Sequence, residues 1–245
     1  MNPTQHKRYQ TLYQQHVNAL HRQGKAASTI DVYSRAVRRI TEFFDLCPDQ
    51  LTQDHLKDYF SALVKSHSWS TVKIDRNGLQ FFYHHVLNRQ WVWVDIVKPP
   101  KQRVLPDILT IKEVERLING TRELRYQTFI LTTYGLGLRL GETLNLTIGD
   151  IDCERLKVHV RLGKGKKDRF VTLPDVVLQT LRTYWATHRN PRLLFPNGKT
   201  AELRYHAIKL MDRGGWQKSF KAIANSCVIY KHVTSHSLRL SLIHI

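Results

Sequence analysis

The stretch Tyr134-Gly-Leu-Gly-Leu-Arg-Leu-Gly-Glu-Thr-Leu-Asn-Leu146 sets one guanidinium, Arg139, among apolar residues, where a cation is out of place. Two glycines bring the chain tightly to it, and Leu140, Leu144 and Ile148 recur at helical spacing, so the arginine is expected to open a short buried helix. Two readings of it stand side by side. Glu142, three residues on, can neutralise a core-edge arginine as an intrahelical ion pair. Alternatively, the planar fork of donors is held for an anion, since it matches the geometry of a phosphate. Two later patches offer related chemistry. Gly163-Lys-Gly-Lys-Lys-Asp-Arg169 lies in a segment, Arg155 to Arg169, with seven cations and one acid, and its glycines let backbone approach a phosphate with no Cβ in the way. Its spacing is not that of a Walker A loop. His236 and Arg239 are three apart, so if Ser235 caps a helix they share a face at its start, where backbone donors favour an anion. Taken singly, the hairpin reads equally as a solvated basic tip and the His-Arg pair as a surface pair.

The rest of the chain limits what those groups could be for. Its 245 residues are enough for one large or two smaller domains, and a hydrophobic content of 42% is ample for real cores. Against 20 acidic residues stand 38 Lys and Arg, a net +18, which is the signature of a polyanion-binding surface, with nucleic acid the default partner. No run of 18 or more apolar residues occurs, and Met1-Asn-Pro-Thr-Gln-His-Lys7 has no apolar signal core, so a soluble protein with no membrane partner is expected. Cys47, Cys153 and Cys227 are odd in number and lack a CxxC pair; buried thiols in a reducing compartment are expected, with neither disulfides nor a zinc site.

In order along the chain, helical spacing recurs four times before residue 97. Tyr9, Leu12, Tyr13, His16, Val17 and Leu20 mark a first helix stopped by Gly24. Ser28 or Thr29 is expected to cap a second, with Tyr33, Val37, Ile40 and Phe44 inward and Arg35, Arg38 and Arg39 on a basic flank. Thr52 caps a third and Ser68 or Ser70 a fourth, making a compact bundle over residues 1–97. Lys98-Pro-Pro-Lys-Gln-Arg-Val-Leu-Pro106 then breaks the pattern with prolines and the cations Lys98, Lys101 and Arg103, and we take 98–109 as a linker. Residues 1–97 carry 12 basic against 8 acidic side chains, and 98–245 carry 26 against 12, so the second part (110–245) is the stronger polyanion binder. It opens on a Thr110/Glu113 capping box, changes to period two at Val158 and Val160 with a hairpin closing through Phe170 and Thr172, and returns to helix.

Together, GLRLGE, the GKGKKDR hairpin and HSLR, in that order after a helical N-terminal part, resemble the tyrosine recombinases, the phage integrase family. The family pattern G-L-R-x-x-E-x-x-x-L matches Gly137 through Leu146, Asp150-Ile-Asp152 matches the segment that follows, and H-x-L-R matches His236 to Arg239. The resemblance implies a mainly α fold with a small antiparallel sheet, in which a SAM-like core-binding domain and a catalytic domain close as a clamp on double-stranded DNA. It implies Arg139, Lys164, His236 and Arg239 as catalytic residues: the arginines on the non-bridging oxygens of the scissile phosphate, Lys164 as general acid, His236 positioning or accepting a proton. Contacts to DNA are expected from Arg35, Arg38, Arg39, Lys98, Lys101, Arg103, Lys166, Lys167 and Arg169. No metal or other cofactor is expected, because the phosphodiester energy is kept in a phosphotyrosine. Homo-oligomers on DNA, in a prokaryotic cytoplasm or nucleoid, complete the expectation.

The departure from the family lies after Arg239. The pattern there continues with a histidine, a helix and, some tens of residues on, the nucleophilic tyrosine, whereas this sequence has only Leu240-Ser-Leu-Ile-His-Ile245. Those six residues match the translation of CTGTCTCTTATACACATC, the start of a transposon end used in preparing sequencing libraries, and are expected to be foreign to the gene. The catalytic domain is therefore expected to be incomplete and this chain a fragment lacking its nucleophile. A DNA-binding protein without strand transfer, competing at recombination sites, is the alternative; RNA binding is disfavoured, because the Arg, Lys and HxxR series has no role in RNA readout.

Overall fold

The computed structural model describes residues 1–91, 107–161 and 167–243. The chain divides into two compact units, Met1–Gln102 and Arg103–Ile245.

In the first unit, α1 (Pro3–Arg22), α2 (Ala27–Phe44), α3 (Gln53–Ser66) and α4 (Trp69–His85) each bury one apolar stripe. Thr52 caps α3 and Ser68 caps α4, each accepting from a backbone N–H three residues on. The cap expected for α2 does not form. Ala26 already accepts from the N–H groups of Thr29 and Ile30 through its carbonyl, so the helix starts ahead of the nearest hydroxyl and its N-cap has no side-chain acceptor. The tightest crossing is α2 on α4, and Gly78 makes it possible: a Cβ there would lie 3.1 Å from the Cβ of Ala36 and 3.1 Å from the Cα of Tyr33. Leu20, Val37, Ile40, Leu79 and Phe82 are fully buried around it. Asp75, also buried, accepts from Arg39 Nη1 and from the Tyr59 hydroxyl, each at 2.6 Å.

The second unit contains α5 (Ile111–Gly120), α6 (Leu124–Gly135), α7 (Leu140–Leu144), α8 (Asp175–Ala186), α9 (Ala201–Tyr205), α10 (Arg213–Ser226) and α11 (Ser235–Ile243), and a small sheet. The Thr110/Glu113 capping box that opens α5 is present. The sheet is antiparallel in the order β1 (Ile151–Asp152), β2 (Lys157–Val160), β3 (Arg169–Thr172), with Val158 opposite Val171 and Val160 opposite Arg169. Period two in β2 buries Val158 and Val160. The same register turns Phe170 outward, 64% exposed and stacked on the His159 ring. An aromatic cluster of Phe129, Phe195, Trp216, Phe220 and Tyr184 fills the centre, and α6 packs against both α8 and α11. Ile148 is not part of α7, as its spacing suggested: the helix ends at Leu144, and Ile148–Asp150 forms a separate 3-10 turn held by the buried Asp150, which accepts from Thr147 and from Arg161.

Of the cysteines only Cys47 is buried; Cys153 is exposed and Cys227 half-buried. Buried thiols were expected from the lack of any disulfide or zinc pattern, but Cys153 falls in the β1–β2 turn. No helix of the described residues is long and apolar enough to cross a membrane.

Candidate functional site

Arg139 is set by the turn that precedes it. After α6, Gly137 takes φ +58°, a left-handed conformation natural to glycine, and the chain reverses so that Leu138 is fully buried while Arg139 becomes the N-cap of α7. Glu142 holds it there twice over: its carboxylate accepts the Arg139 backbone N–H at 2.9 Å and Arg139 Nη1 at 2.9 Å. So the ion pair read from the sequence exists. A second cation shares the carboxylate. Arg169, the first residue of β3, forks onto Glu142 with Nη1 at 3.0 Å and Nη2 at 2.7 Å. Burial would raise the Glu142 pKa, but the donors of Arg169 and Arg139 overcome it and hold it at about 2.

The third cation, Arg239, comes from α11. Burial, followed by the charges of Arg139 and Arg169, lowers its pKa from the ordinary guanidinium value, with Glu142 acting in the other direction. Its Nη1 is buried with no hydrogen-bond partner among the described residues. Three arginines thus act around one carboxylate, an excess of about two positive charges, and Arg239 Nη1 has no acceptor among the described residues. Glu142 therefore pairs with Arg139, and its single charge is shared with Arg169.

His236 lies one turn before Arg239 and is exposed. The helix start differs from the expectation. Thr234 supplies the cap, its hydroxyl accepting the His236 N–H at 3.2 Å and its own N–H donating to Ser237 Oγ at 3.1 Å. Ser235 is buried and accepts from Trp216 Nε1 at 2.8 Å, so it anchors α11 to α10 instead. Beyond Arg239 the helix continues, and Ser241 is buried, accepting the Leu109 N–H and donating to the Ser237 carbonyl.

Lys164 lies outside the described residues, as do Lys166, Lys98, Lys101 and Arg103. Lys167 is exposed. The basic flank of α2 is not one free surface: Arg39 is committed to Asp75, Arg38 donates to the Tyr13 hydroxyl with its guanidinium 5.6 Å from that ring's centre, and only Arg35 is largely exposed, paired with Asp31 one turn earlier at 2.5 Å. A helical period shows which residues share a face but not which carboxylates wait on the neighbouring helix. The Arg169–Glu142 fork was likewise missed, since 27 residues separate its partners and nothing local signals their meeting. Among the described residues no cluster of His, Cys, Asp and Glu could hold a metal ion.

A helical bundle followed by a mainly helical domain, whose three-stranded sheet and last helix bring arginines to one carboxylate, defines a class. The profile described as the phage integrase family matches residues 107–244, and that of the phage integrase N-terminal SAM-like domain matches residues 12–93. The chain belongs to this family, the tyrosine recombinases. It is 32% identical over 217 residues to an integrase/recombinase of Sinorhizobium fredii, covering 84% of this chain and 66% of that one. A tyrosine recombinase of Thermosipho africanus is 30% identical over 228 residues, covering 87% of this chain and 77% of that one. The chain therefore spans about two-thirds to three-quarters of these relatives' lengths. Among solved structures, the Tn1549 transposon integrase in complex with circular intermediate DNA has the same fold, with TM-score 0.65, 17% identity and coverage of 94% of this chain and 85% of that one. So does the XerH site-specific recombinase bound to its difH substrate, with TM-score 0.63, 19% identity and coverage of 87% and 66%.

Proposed function

We propose that the chain binds duplex DNA and that its second unit is the phosphate-handling part of a site-specific recombinase. The observation that carries this is the arginine excess around Glu142, with Arg239 Nη1 buried and without an acceptor among the described residues. In strand cleavage a nucleophilic tyrosine attacks the scissile phosphate, and negative charge builds on the non-bridging oxygens in the five-coordinate state. Arg139 and Arg239 would neutralise that charge, with Glu142 and Arg169 fixing the Arg139 fork in advance. Lys164 would protonate the departing 5′ oxygen and His236 would position or accept a proton. Exposed Lys167, with Lys166, Lys98, Lys101, Arg103 and Arg35, would contact flanking phosphates, and several copies of the chain would assemble on the DNA in a cytoplasm or nucleoid. Family membership and the DNA-bound relatives support this reading.

The finer reading concerns the nucleophile. Every tyrosine of the sequence precedes His236, and Tyr126, Tyr134, Tyr184, Tyr205 and Tyr230 are poor substitutes for one that follows it. Tyr184 is buried among aromatics, and the Tyr126 hydroxyl accepts from Arg125 and Ser219. The 245-residue polypeptide should therefore bind DNA without forming a 3′-phosphotyrosyl adduct, the behaviour of a non-catalytic competitor at recombination sites. The test is a nicked suicide substrate, on which the polypeptide should give no covalent complex. A family C-terminal segment carrying its tyrosine, joined after Arg239, should give one, and Arg139→Ala in that graft should slow it about a hundredfold or more. An adduct from the ungrafted polypeptide would show that the nucleophile is misplaced, and a graft indifferent to Arg139→Ala would refute the phosphate site.

A further inference from the structure

Over α7, the helix that Arg139 caps, lies a cation that the site as described does not use. Arg213 is the first residue of α10, exposed, and forms no ion pair or hydrogen bond with any described residue. Its neighbour Asp212 is occupied in capping that helix, accepting the Gly215 N–H. Yet the Arg213 guanidinium is not out in solvent at random: its Nη2 lies over α7, where a Cβ on Gly141 would come within 3.2 Å of it. Gly141 is two residues after Arg139, in the helix that Arg139 caps.

Gly141 needs no glycine for its own backbone, since it does not take a positive φ. In a helix, alanine is favoured over glycine. Among the described residues outside its own helix, the atom that a Cβ at this position would meet is that guanidinium nitrogen. The missing Cβ therefore leaves room for Arg213 to lie over the first turn of α7, the helix that Arg139 caps.

The helix that carries Arg213 is anchored at its first turn. Trp216, three residues on, is buried, stacks on Phe220, packs on Phe129 and donates to Ser235 at the start of α11. One indole thus ties the helix that carries Arg213 to the helix that carries His236 and Arg239.

We propose that Arg213 is a substrate-binding residue that holds a DNA phosphate next to the one at the Arg139 and Arg239 site, so that the reacting strand is gripped at two consecutive points. This rests on the DNA reading above. Arg213 is not asked to stabilise the reacting phosphate. Its part is to fix the strand, and Gly141 serves it by leaving its path open.

Duplex binding by the full 245-residue chain, measured by fluorescence anisotropy across a salt series, tests the proposal. Removing a cation that neutralises one phosphate should lower the slope of log affinity against log salt by about 0.9, whatever the duplex sequence. Arg213→Gln should do this and weaken binding several-fold, and Arg213→Lys should restore the slope. Gly141→Ala should weaken binding a few-fold when Arg213 is present and have no further effect in Arg213→Gln. Additive effects of the two substitutions would overturn the placement of Arg213 over Gly141 as functional. An unchanged slope in Arg213→Gln, while the wild type is steep and Arg139→Ala weakens it, would overturn this proposal and leave the DNA reading standing. A flat salt dependence of the wild type would overturn both.

Discussion

Replacing Glu142 with Gln keeps the shape of the side chain and removes the one negative charge among three arginines. In the wild type, Arg139 and Arg169 hold the carboxyl at a pKa of about 2, down from its ordinary 4.5. At about 1.36 kcal/mol per pH unit the carboxylate then contributes at most about 3 kcal/mol to the second unit's stability. The Glu142 side chain is only 8% exposed, but those of Arg139 and Arg169 are 38% and 34% exposed, so solvent screens part of this and about 2 kcal/mol is the expected loss at pH 7. The sign fixes the pH dependence. The folded-state pKa is depressed, so the stabilisation is complete above about 4.5 and is lost as pH falls toward about 2. Urea titrations read by hydrogen exchange of α6 and α11 peptides confine the measurement to the second unit. The gap between wild type and Glu142→Gln should be near 2 kcal/mol at pH 7, begin to shrink below about pH 4.5 and close toward pH 2. A gap under about 0.5 kcal/mol at pH 7, or one that does not change with pH, would show that the three arginines do not depend on this carboxylate.

The first unit offers three further tests. Burial between Phe81 and Phe82 pushes the His16 pKa down to about 4, so this unit should lose about 2 to 3 kcal/mol as pH falls from about 6.5 to about 4; an equally steep window in His16→Leu would exclude His16 as its source. Gly78→Ala should cost about 1 to 3 kcal/mol in the same hydrogen-exchange readout, because the new methyl meets the Tyr33 backbone, and a neutral effect would mean the α2–α4 crossing is looser than its 3.1 Å clearances. Asp75→Asn should cost about 2 to 3 kcal/mol, since Arg39 and Tyr59 lose their shared charged acceptor, and thermal unfolding within about 1 °C of wild type would refute that dependence.

The sequence by itself determined whatever is local. Apolar spacing marked the helices of both units, short polar residues ahead of them marked the caps at Thr52, Ser68 and Thr110, and period two marked the buried face of β2. These signals are legible because the interactions behind them span three or four residues, or alternate along one strand. Arg139 stood out for the same reason, as a charge in an apolar run with an acid one turn away. Tertiary structure decided which of two adjacent hydroxyls would be a cap and which an anchor, because Ser235 is claimed by Trp216 and the cap falls to Thr234. It alone put Arg169 on Glu142 and left Arg239 Nη1 without an acceptor among the described residues, and it withdrew Arg38 and Arg39 from the exposed flank of α2. A guanidinium reaches across several ångströms to whichever carboxylate the packing of distant segments presents, so its partner is a property of the assembled core and cannot be read from its neighbours in the chain.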